Sequence, residues 1–408
     1  MNFDTLGLGP LLRATLRRKF STLLVVIQIA ITMAIITNAL HIVYERVQLM
    51  QRASGLDENN SFYFTSSGFA QGFNPANTIG EDLQRMRDMP GVVAVVQSNS
   101  FPLLDGGNWA YVQTQAGEHN KIPAAVYKVD EQGLQAFAVE LVAGENFNSN
   151  EVIWQQESDN GWPAQVILSK ALAINLSSAQ NWQQLLGTTI YIDLNQPLVV
   201  KGIMDHLQVP WVESPNINNT ILVPAIVANQ NARYFVRAEK GYLPQLMADI
   251  PAVLASSNKQ RVIRNINTVA QARDSIYATD KAIIWILLLI TLVLTLVTAM
   301  GITGLASFNV NKRRKQIGTR RALGASRGNI VGYFMLENLL LSGIGVIIGA
   351  GLTLGLNIQL LALYELPVMS WHYIPAGMAM LIVLGQLAVL WPATRASLIS
   401  PALASRCN

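Results

Sequence analysis

The sequence predicts a membrane α-helical protein with four transmembrane helices and a large extracytoplasmic α+β domain inserted between helices 1 and 2. Three observations predict it. Four apolar runs, residues 21–44, 282–308, 330–357 and 373–392, each reach or nearly reach the ~20 helical residues that cross about 30 Å of hydrocarbon. Seven basic residues and no acid (Lys312, Arg313, Arg314, Lys315, Arg320, Arg321 and Arg327) stand between the second run and the third. Between the first run and the second, residues 56–268 read as a soluble domain, with short β-branched runs and helical stretches in irregular order.

Charge sets the orientation. Lys and Arg concentrate on the cytoplasmic side of membrane proteins. Arg13, Arg17, Arg18 and Lys19 precede the first run, the seven-residue patch follows the second, and Arg395 and Arg406 follow the fourth. The loop after the third run has Glu365 and no basic residue. Both termini and the basic loop are therefore expected inside, and the large domain outside. The net charge of +4 conceals this split. Orientation and attraction to anionic lipid account for the basic excess without nucleic-acid binding.

The first run has no charged residue from Ser21 to Leu40. It is too long for a signal-peptide core, and no small-x-small cleavage site follows, so it reads as an uncleaved first span. Before it, Leu8, Leu11, Leu12, Thr15 and Leu16 can share one helical face and Arg13, Arg17 and Arg18 another. That pattern fits an amphipathic helix at the interface, the alternative being a disordered basic tail. Helical spacing continues past the first span to Met50, with no Gly or Pro until Gly55. Residues 269–281 approach the second span in the same way. Both stretches are expected to be helices that project outward as a stalk.

In the soluble domain, strands are expected at residues 61–64, 92–96, 166–168, 189–192, 199–203, 220–223 and 234–236. Helices are expected at 78–89, 169–175 and 242–256. Residues 144–161, richer in Asn and Glu, read as a loop. The only cysteine is Cys407, so an intrachain disulfide is impossible and the domain must rest on its own core.

No GxxxxGK[ST] phosphate loop and no HExxH occur, and His41, His119, His206 and His372 show no metal-ligand spacing. No catalytic residue and no metal site are expected. Gly324-Ala325-Ser326-Arg327-Gly328 matches GxSxG by letters, but a nucleophile elbow needs a strand before it and a helix after it. Here a basic helical segment and a membrane span flank it, and the glycines read as a break that turns the chain back into the bilayer. Three Asn-x-Ser/Thr triplets carry no weight in an Asn-rich domain. In the third span, Gly345 and Gly349, and Gly351 and Gly355, stand four apart. Small residues at that spacing let helices approach closely, within the chain or at a dimer seam. Glu337 lies in the same span, where an acid is costly. Near the inner end it is expected to pair with Arg320, Arg321 or Arg327, rather than to serve a proton or substrate.

Arg313-Arg314-Lys315-Gln316-Ile317-Gly318-Thr319-Arg320-Arg321-Ala322-Leu323-Gly324-Ala325-Ser326, followed by Phe334-Met335-Leu336-Glu337, closely resembles the cytoplasmic loop of FtsX-like permeases. Trp391-Pro392-Ala393-Thr394-Arg395-Ala396 through Ser400-Pro401-Ala402-Leu403 is similar to that family's C-terminal end. Residues 141–147 and 199–205 resemble the periplasmic core domain of the MacB type. The resemblance implies the permease subunit of a type VII ABC transporter in a bacterial inner membrane. Two protomers, alike or sisters, would pair with two ATPases. Closure of the ATPases would travel along the stalk to the outer domains, a mechanism called mechanotransmission.

The resemblance assigns contact with the ATPase to Arg313, Arg314, Lys315, Gln316, Ile317, Gly318, Arg320, Arg321, Ala322, Leu323, Gly324 and Ala325. Gln316 stands where the family often has Glu, which bears on one such contact. With no phosphate loop here, ATP and Mg are expected on a separate ATPase polypeptide. The expected work is efflux of a peptide, antibiotic or similar compound through a periplasmic adaptor and an outer-membrane channel. Lipoprotein extraction from the inner membrane, or regulation of cell-wall hydrolases without transport, remain open alternatives.

The expected organisation begins with a cytoplasmic amphipathic helix (1–20), then helix 1 and stalk (21–55) and the outer domain (56–268). Stalk and helix 2 (269–308), the coupling loop (309–329) and helix 3 (330–357) come next. A short outer loop (358–372), helix 4 (373–392) and a cytoplasmic tail (393–408) complete it.

Overall fold

A computed structural model describes residues 19–117, 121–156, 159, 161–177, 180–193, 195–364 and 368–399, with backbone alone for 19–21 and 364. The expected N-terminal amphipathic helix, His119, Glu365 and the segment from Ser400 to Cys407 lie outside these residues. The chain divides into two compact units, residues 1–50 with 280–408, and residues 51–279.

In the first unit, α1 spans Lys19–Met50. The others in chain order within this unit follow the five helices of the second: α7 is Ala278–Lys312, α8 Arg314–Ala322, α9 Arg327–Tyr364 and α10 Tyr373–Ser397. The four long ones, α1, α7, α9 and α10, are long and apolar enough to cross a membrane. Helix α9 packs along both α1 and α10.

Glycine decides where it packs. A Cβ on Gly345 would meet Ile29 Cγ2 at 2.8 Å and the Val26 carbonyl at 3.3 Å, and one on Gly349 would meet Met33 Cβ at 2.8 Å. The other expected pair does not join this packing, since a Cβ on Gly351 or Gly355 would meet nothing within 4 Å among the described residues. Two residues turn a helix by about 200°, so Gly351 faces away from the side that Gly349 presents to α1.

Hydrogen bonds supplement this packing, as they do where no water competes. Thr32 and Thr298 share one of 2.8 Å, Gln28 donates to the Val297 carbonyl at 3.1 Å, and Asn38 donates to the Thr353 carbonyl at 3.2 Å. Arg46 of α1 pairs with Asp280 of α7.

The second unit is α+β. Its strands are β1 Ser61–Gly68, β2 Val92–Gln97, β3 Asn108–Gln113, β4 Ile122–Val129, β5 Leu141–Gly144 and β6 Ile153–Gln156. They continue as β7 Gln165–Ser169, β8 Thr189–Ile192, β9 Gln196–Met204, β10 Thr220–Ala228, β11 Asn231–Ala238 and β12 Arg261–Thr268. The helices are α2 Pro75–Arg87, α3 Gly133–Phe137, α4 Lys170–Leu176, α5 Leu243–Ser257 and α6 Val269–Ile276.

One sheet is antiparallel, in the order β12-β1-β11-β2. Ile79, Leu83 and Met86 of α2 and Leu246, Ile250 and Leu254 of α5 bury against its Phe62, Phe64, Val95 and Tyr234. The larger sheet runs β4-β3-β8-β9-β7-β10-β6, and β4 also pairs β10 in parallel. Six strands therefore form a closed circuit, which leaves them no free edge. Val112, Val126, Leu168, Ile190, Val200 and Ile221 are among its fully buried core residues.

Two expectations are corrected here. Residues 144–161 are not simply a loop, because they contain a short 3-10 turn at Ser149–Glu151 and β6, which pairs in parallel with the second half of β10. Residues 269–281 do not form one continuous helix. Thr268 caps α6 by accepting from Gln271 N at 3.0 Å, α6 stops at Ile276, and α7 starts after Tyr277, whose φ of −93° and ψ of 10° leave the helical range.

Polar contacts hold both ends of this unit's chain. Arg273 of α6 grips Glu58 with two bonds of 2.6 Å and reaches the Arg52 carbonyl at 3.0 Å. Gly55 has a φ of +86° and passes so close to the His206 carbonyl that a Cβ would collide with it. Only glycine fits there.

Candidate coupling site

The basic patch folds as α8, a short helix between the second and third membrane helices. Val310, Arg313 and Ile317, at spacing i, i+3 and i+7, are buried. Ile317 joins Ile330 and Phe334 of α9 in the core of the membrane unit. Arg313, at the N-cap of α8, is buried as well. Its Nη1 donates to Glu337 Oε2 at 2.8 Å and to the Tyr333 hydroxyl at 2.8 Å, and its Nη2 donates to Glu337 Oε1 at 3.0 Å. This is a bidentate pair, the strongest form of arginine–carboxylate contact.

The expected partner of Glu337 is thus corrected. Glu337 pairs, but with Arg313 rather than Arg320, Arg321 or Arg327. The reason is the helical phase of the patch: Arg313 lies on the buried face with Val310 and Ile317. Arg320 sits with its guanidinium 5.0 Å from the Tyr333 ring centre, a cation–π contact on the same α9 residue.

The twelve residues that the resemblance assigns to ATPase contact therefore separate into three sets. Arg313, Ile317 and Gly318 are buried and hold the helix down. Arg314, Lys315, Gln316, Ala322, Leu323 and Gly324 are exposed, as is Arg320 beside its ring, while Arg321 and Ala325 are half-buried. Leu323 is 83% exposed, unusual for a leucine beside a packed bundle.

The end of α8 explains the GxSxG letters. Leu323 N donates to the Thr319 carbonyl at 3.0 Å, and Ala325 N to the Arg320 carbonyl at 3.0 Å. Gly324, with a φ of +94°, supplies the left-handed residue that ends the helix. Ser326 then caps α9, its hydroxyl accepting from Asn329 N at 3.1 Å. The glycine break was legible in the sequence; the serine's capping role was not recognised. Among the described residues, no group of three or more His, Cys, Asp or Glu side chains is placed to hold a metal.

Four apolar helices, an α+β domain inserted after the first, and a basic helix pinned between the second and third define a multi-span membrane protein. Comparison with known proteins gives its family. The MacB-like periplasmic core domain matches residues 22–253, and the FtsX-like permease C-terminal domain matches residues 281–401. The chain belongs to the FtsX-like permeases with a MacB-like periplasmic core domain, a class of ABC transporter permease.

It is similar to the macrolide export ATP-binding/permease protein MacB of Neisseria gonorrhoeae, at 28% identity over 271 residues, 62% of this chain and 37% of that protein. The chain thus spans little more than a third of that relative's length. It is also similar to the uncharacterized ABC transporter permease YknZ of Bacillus subtilis, at 30% identity over 112 residues, 27% of this chain and 28% of YknZ. Among solved structures, the periplasmic region of MacB from Actinobacillus actinomycetemcomitans aligns at 13% identity with a TM-score of 0.34, covering 57% of this chain and 98% of that one.

Proposed function

We propose that this chain is the membrane subunit of an ABC transporter that works by mechanotransmission. A separate ABC ATPase, which holds ATP and Mg, docks on the exposed face of α8. Its closure moves the membrane helices, and they move the extracytoplasmic unit. The observation that carries this reading is the division of α8: one face is fixed to α9 through Arg313, Glu337 and Ile317, while Arg314, Lys315, Gln316 and Leu323 stand exposed.

A helix pinned on one side passes a push to its support instead of yielding to it. The support has the length required. At about 1.5 Å per residue, the 32 residues of α1 measure about 48 Å, well beyond the ~30 Å hydrocarbon layer. A cycle also needs contacts that differ between two states, and nucleotide-driven pairing of two ATPases supplies them.

The setting is a bacterial inner membrane with the large domain in the periplasm. A second permease protomer, identical or a sister chain, completes the assembly, and its seam can use the Gly351 and Gly355 side of α9 that leaves α1 free. The work is efflux of a peptide, antibiotic or similar compound through a periplasmic adaptor and an outer-membrane channel. The export named for the gonococcal relative supports that direction. The test is affinity capture of the full chain from native membranes with mass spectrometry of what accompanies it. An ATPase with an adaptor is the expected result. A peptidoglycan hydrolase without an adaptor, or capture with no ATPase, would contradict the proposal.

A further inference from the structure

A second feature lies at the basic end of the membrane unit and involves a different helix. Where α7 ends and α10 finishes, a cavity of about 290 Å³ is open to the outside. Its polar lining is Ser307 and Asn311 from α7, Arg314 from α8 and Arg395 from the last turns of α10. Every one of these side chains can donate a hydrogen bond, and among the described residues no carboxylate lines the cavity. Neither arginine has an acidic partner among the described residues. The remaining wall is apolar, from Val310, Pro392 and Ile399, with Trp391 at its side. Trp391 is 60% exposed and carries the Arg395 guanidinium 5.5 Å from its ring centre, which orients the charge one turn further on.

Each part of this lining points to the same ligand. Two guanidinium groups brought to one cavity from segments about 80 residues apart in sequence, with no acid among its described lining residues, favour a tetrahedral oxyanion, since the planar fork matches phosphate oxygens two at a time. Apolar walls beside the two charges suit a ligand that is anionic at one end and hydrocarbon at the other. Tryptophan favours the headgroup level of a bilayer. The basic residues place this end of the helices at the cytoplasmic surface, where anionic lipids gather and where basic pockets between helices hold their headgroups.

We propose that the cavity binds a phosphate group carried by an anionic lipid of the inner leaflet, with Arg314 and Arg395 as its two anchors. A lipid held there ties the start of α8 to the end of α10, two segments with no ion pair between them among the described residues. This inference does not rest on ATPase docking: Arg314 is shared with the exposed face of α8, but Ser307, Asn311, Trp391 and Arg395 belong to α7 and α10.

The full chain, purified in detergent and stripped of lipid, is titrated with phosphatidylglycerol or phosphatidylcholine, and retained lipid is counted by native mass spectrometry. The expected result is retention of phosphatidylglycerol over phosphatidylcholine. Loss of one charged hydrogen-bonding group lowers such affinity about ten-fold, so Arg395→Gln and Arg314→Gln should each reduce retention by that order. Arg395→Lys, which keeps the charge but not the planar fork and controls for folding, should retain more lipid than Arg395→Gln and less than the parent. Arg327→Gln, an exposed arginine outside the cavity, should retain all of it.

Competition with inorganic phosphate separates the possible sources. If millimolar phosphate leaves the lipid in place, the ligand is the lipid. If phosphate displaces the lipid and binds alone, the lipid assignment fails in favour of a soluble phosphate. Equal retention of both lipids, or a loss in Arg327→Gln as large as in Arg395→Gln, would overturn the site.

Discussion

Two buried ion pairs, one in each unit, set the same chemistry to different ends. In the extracytoplasmic unit, Arg261 of β12 meets Asp82 of α2. Tyr234 donates to the same carboxylate at 2.8 Å, and Arg261 also donates to the Leu254 carbonyl at 2.6 Å. That cluster joins a strand, two helices and a second strand around the core of the four-stranded sheet, and burial raises the Asp82 carboxyl above its ordinary value. In the membrane unit, Arg313 and Glu337 join one short helix to one long one and leave the opposite side of the short helix bare. The first pair finishes a fold. The second fixes the position of a surface, as the proposed ATPase contact needs.

The sharpest way to test this contrast is to remove one member of each pair. Arg261→Ala or Glu337→Ala leaves an uncompensated buried charge, worth about 3–5 kcal/mol of destabilisation. Thermal unfolding followed separately in the two units should show each loss in its own unit. Replacing both Arg313 and Glu337 with apolar residues of similar volume should restore most of the stability. A Glu337→Ala protein as stable as the parent would mean that the pair does not hold α8.

A third ionic contact sets a pH dependence in the extracytoplasmic unit alone. Asp130 accepts from Arg87 at 2.6 Å, yet burial pushes its carboxyl up from 3.8 to about 6. Its folded pKa is thus above its unfolded one. The stability it contributes is fully present below about pH 4 and is lost as pH rises through about 6, a fall of about 3 kcal/mol at 1.36 kcal/mol per unit. Asp130→Asn should flatten the stability of this unit across that window relative to the parent. Parallel curves for the two proteins would contradict the assignment.

Smaller effects distinguish the two faces of α9. Gly349→Leu should cost about 1–3 kcal/mol by forcing α1 and α9 apart, whereas Gly351→Leu should leave the isolated protomer unchanged. If Gly351→Leu disrupts pairing of protomers instead, the open face is a seam. At the lower end of that range, Ser326→Ala should cost about 1 kcal/mol through loss of the α9 cap.

The spans and most strands were legible because both depend on local pattern. Twenty apolar residues in a row, or a run such as Val92-Val93-Ala94-Val95-Val96, have few other uses. Strands β3, β4, β5, β6 and β12 were missed: β3, β6 and β12 interleave polar residues, β4 includes Pro123, and β5 is only four residues long. The closed circuit of strands was not legible at all, since it depends on β4 meeting β10 across about 90 residues of intervening chain.

At the candidate site, the basic patch, the break at Gly324 and the pairing of Glu337 were all readable. The partner was not, although the signal existed: Val310, Arg313 and Ile317 already share one helical face, and a charge on an apolar face needs a buried counter-ion. Distance along the chain suggested the later arginines, and helical phase selects the earlier one.

The proposed mechanism turns most on whether an ATPase grips the exposed face of α8. Lys315→Glu with Gln316→Glu changes charge only on that face, where no packing is disturbed and Arg314 is left in place for the lipid, and should change stability by less than about 0.5 kcal/mol. Co-purification of the ATPase with this double variant from native membranes is the direct measurement. The account predicts loss of the ATPase from a fully inserted, normally folded chain. Undiminished recovery of the ATPase with the reversed face would contradict it.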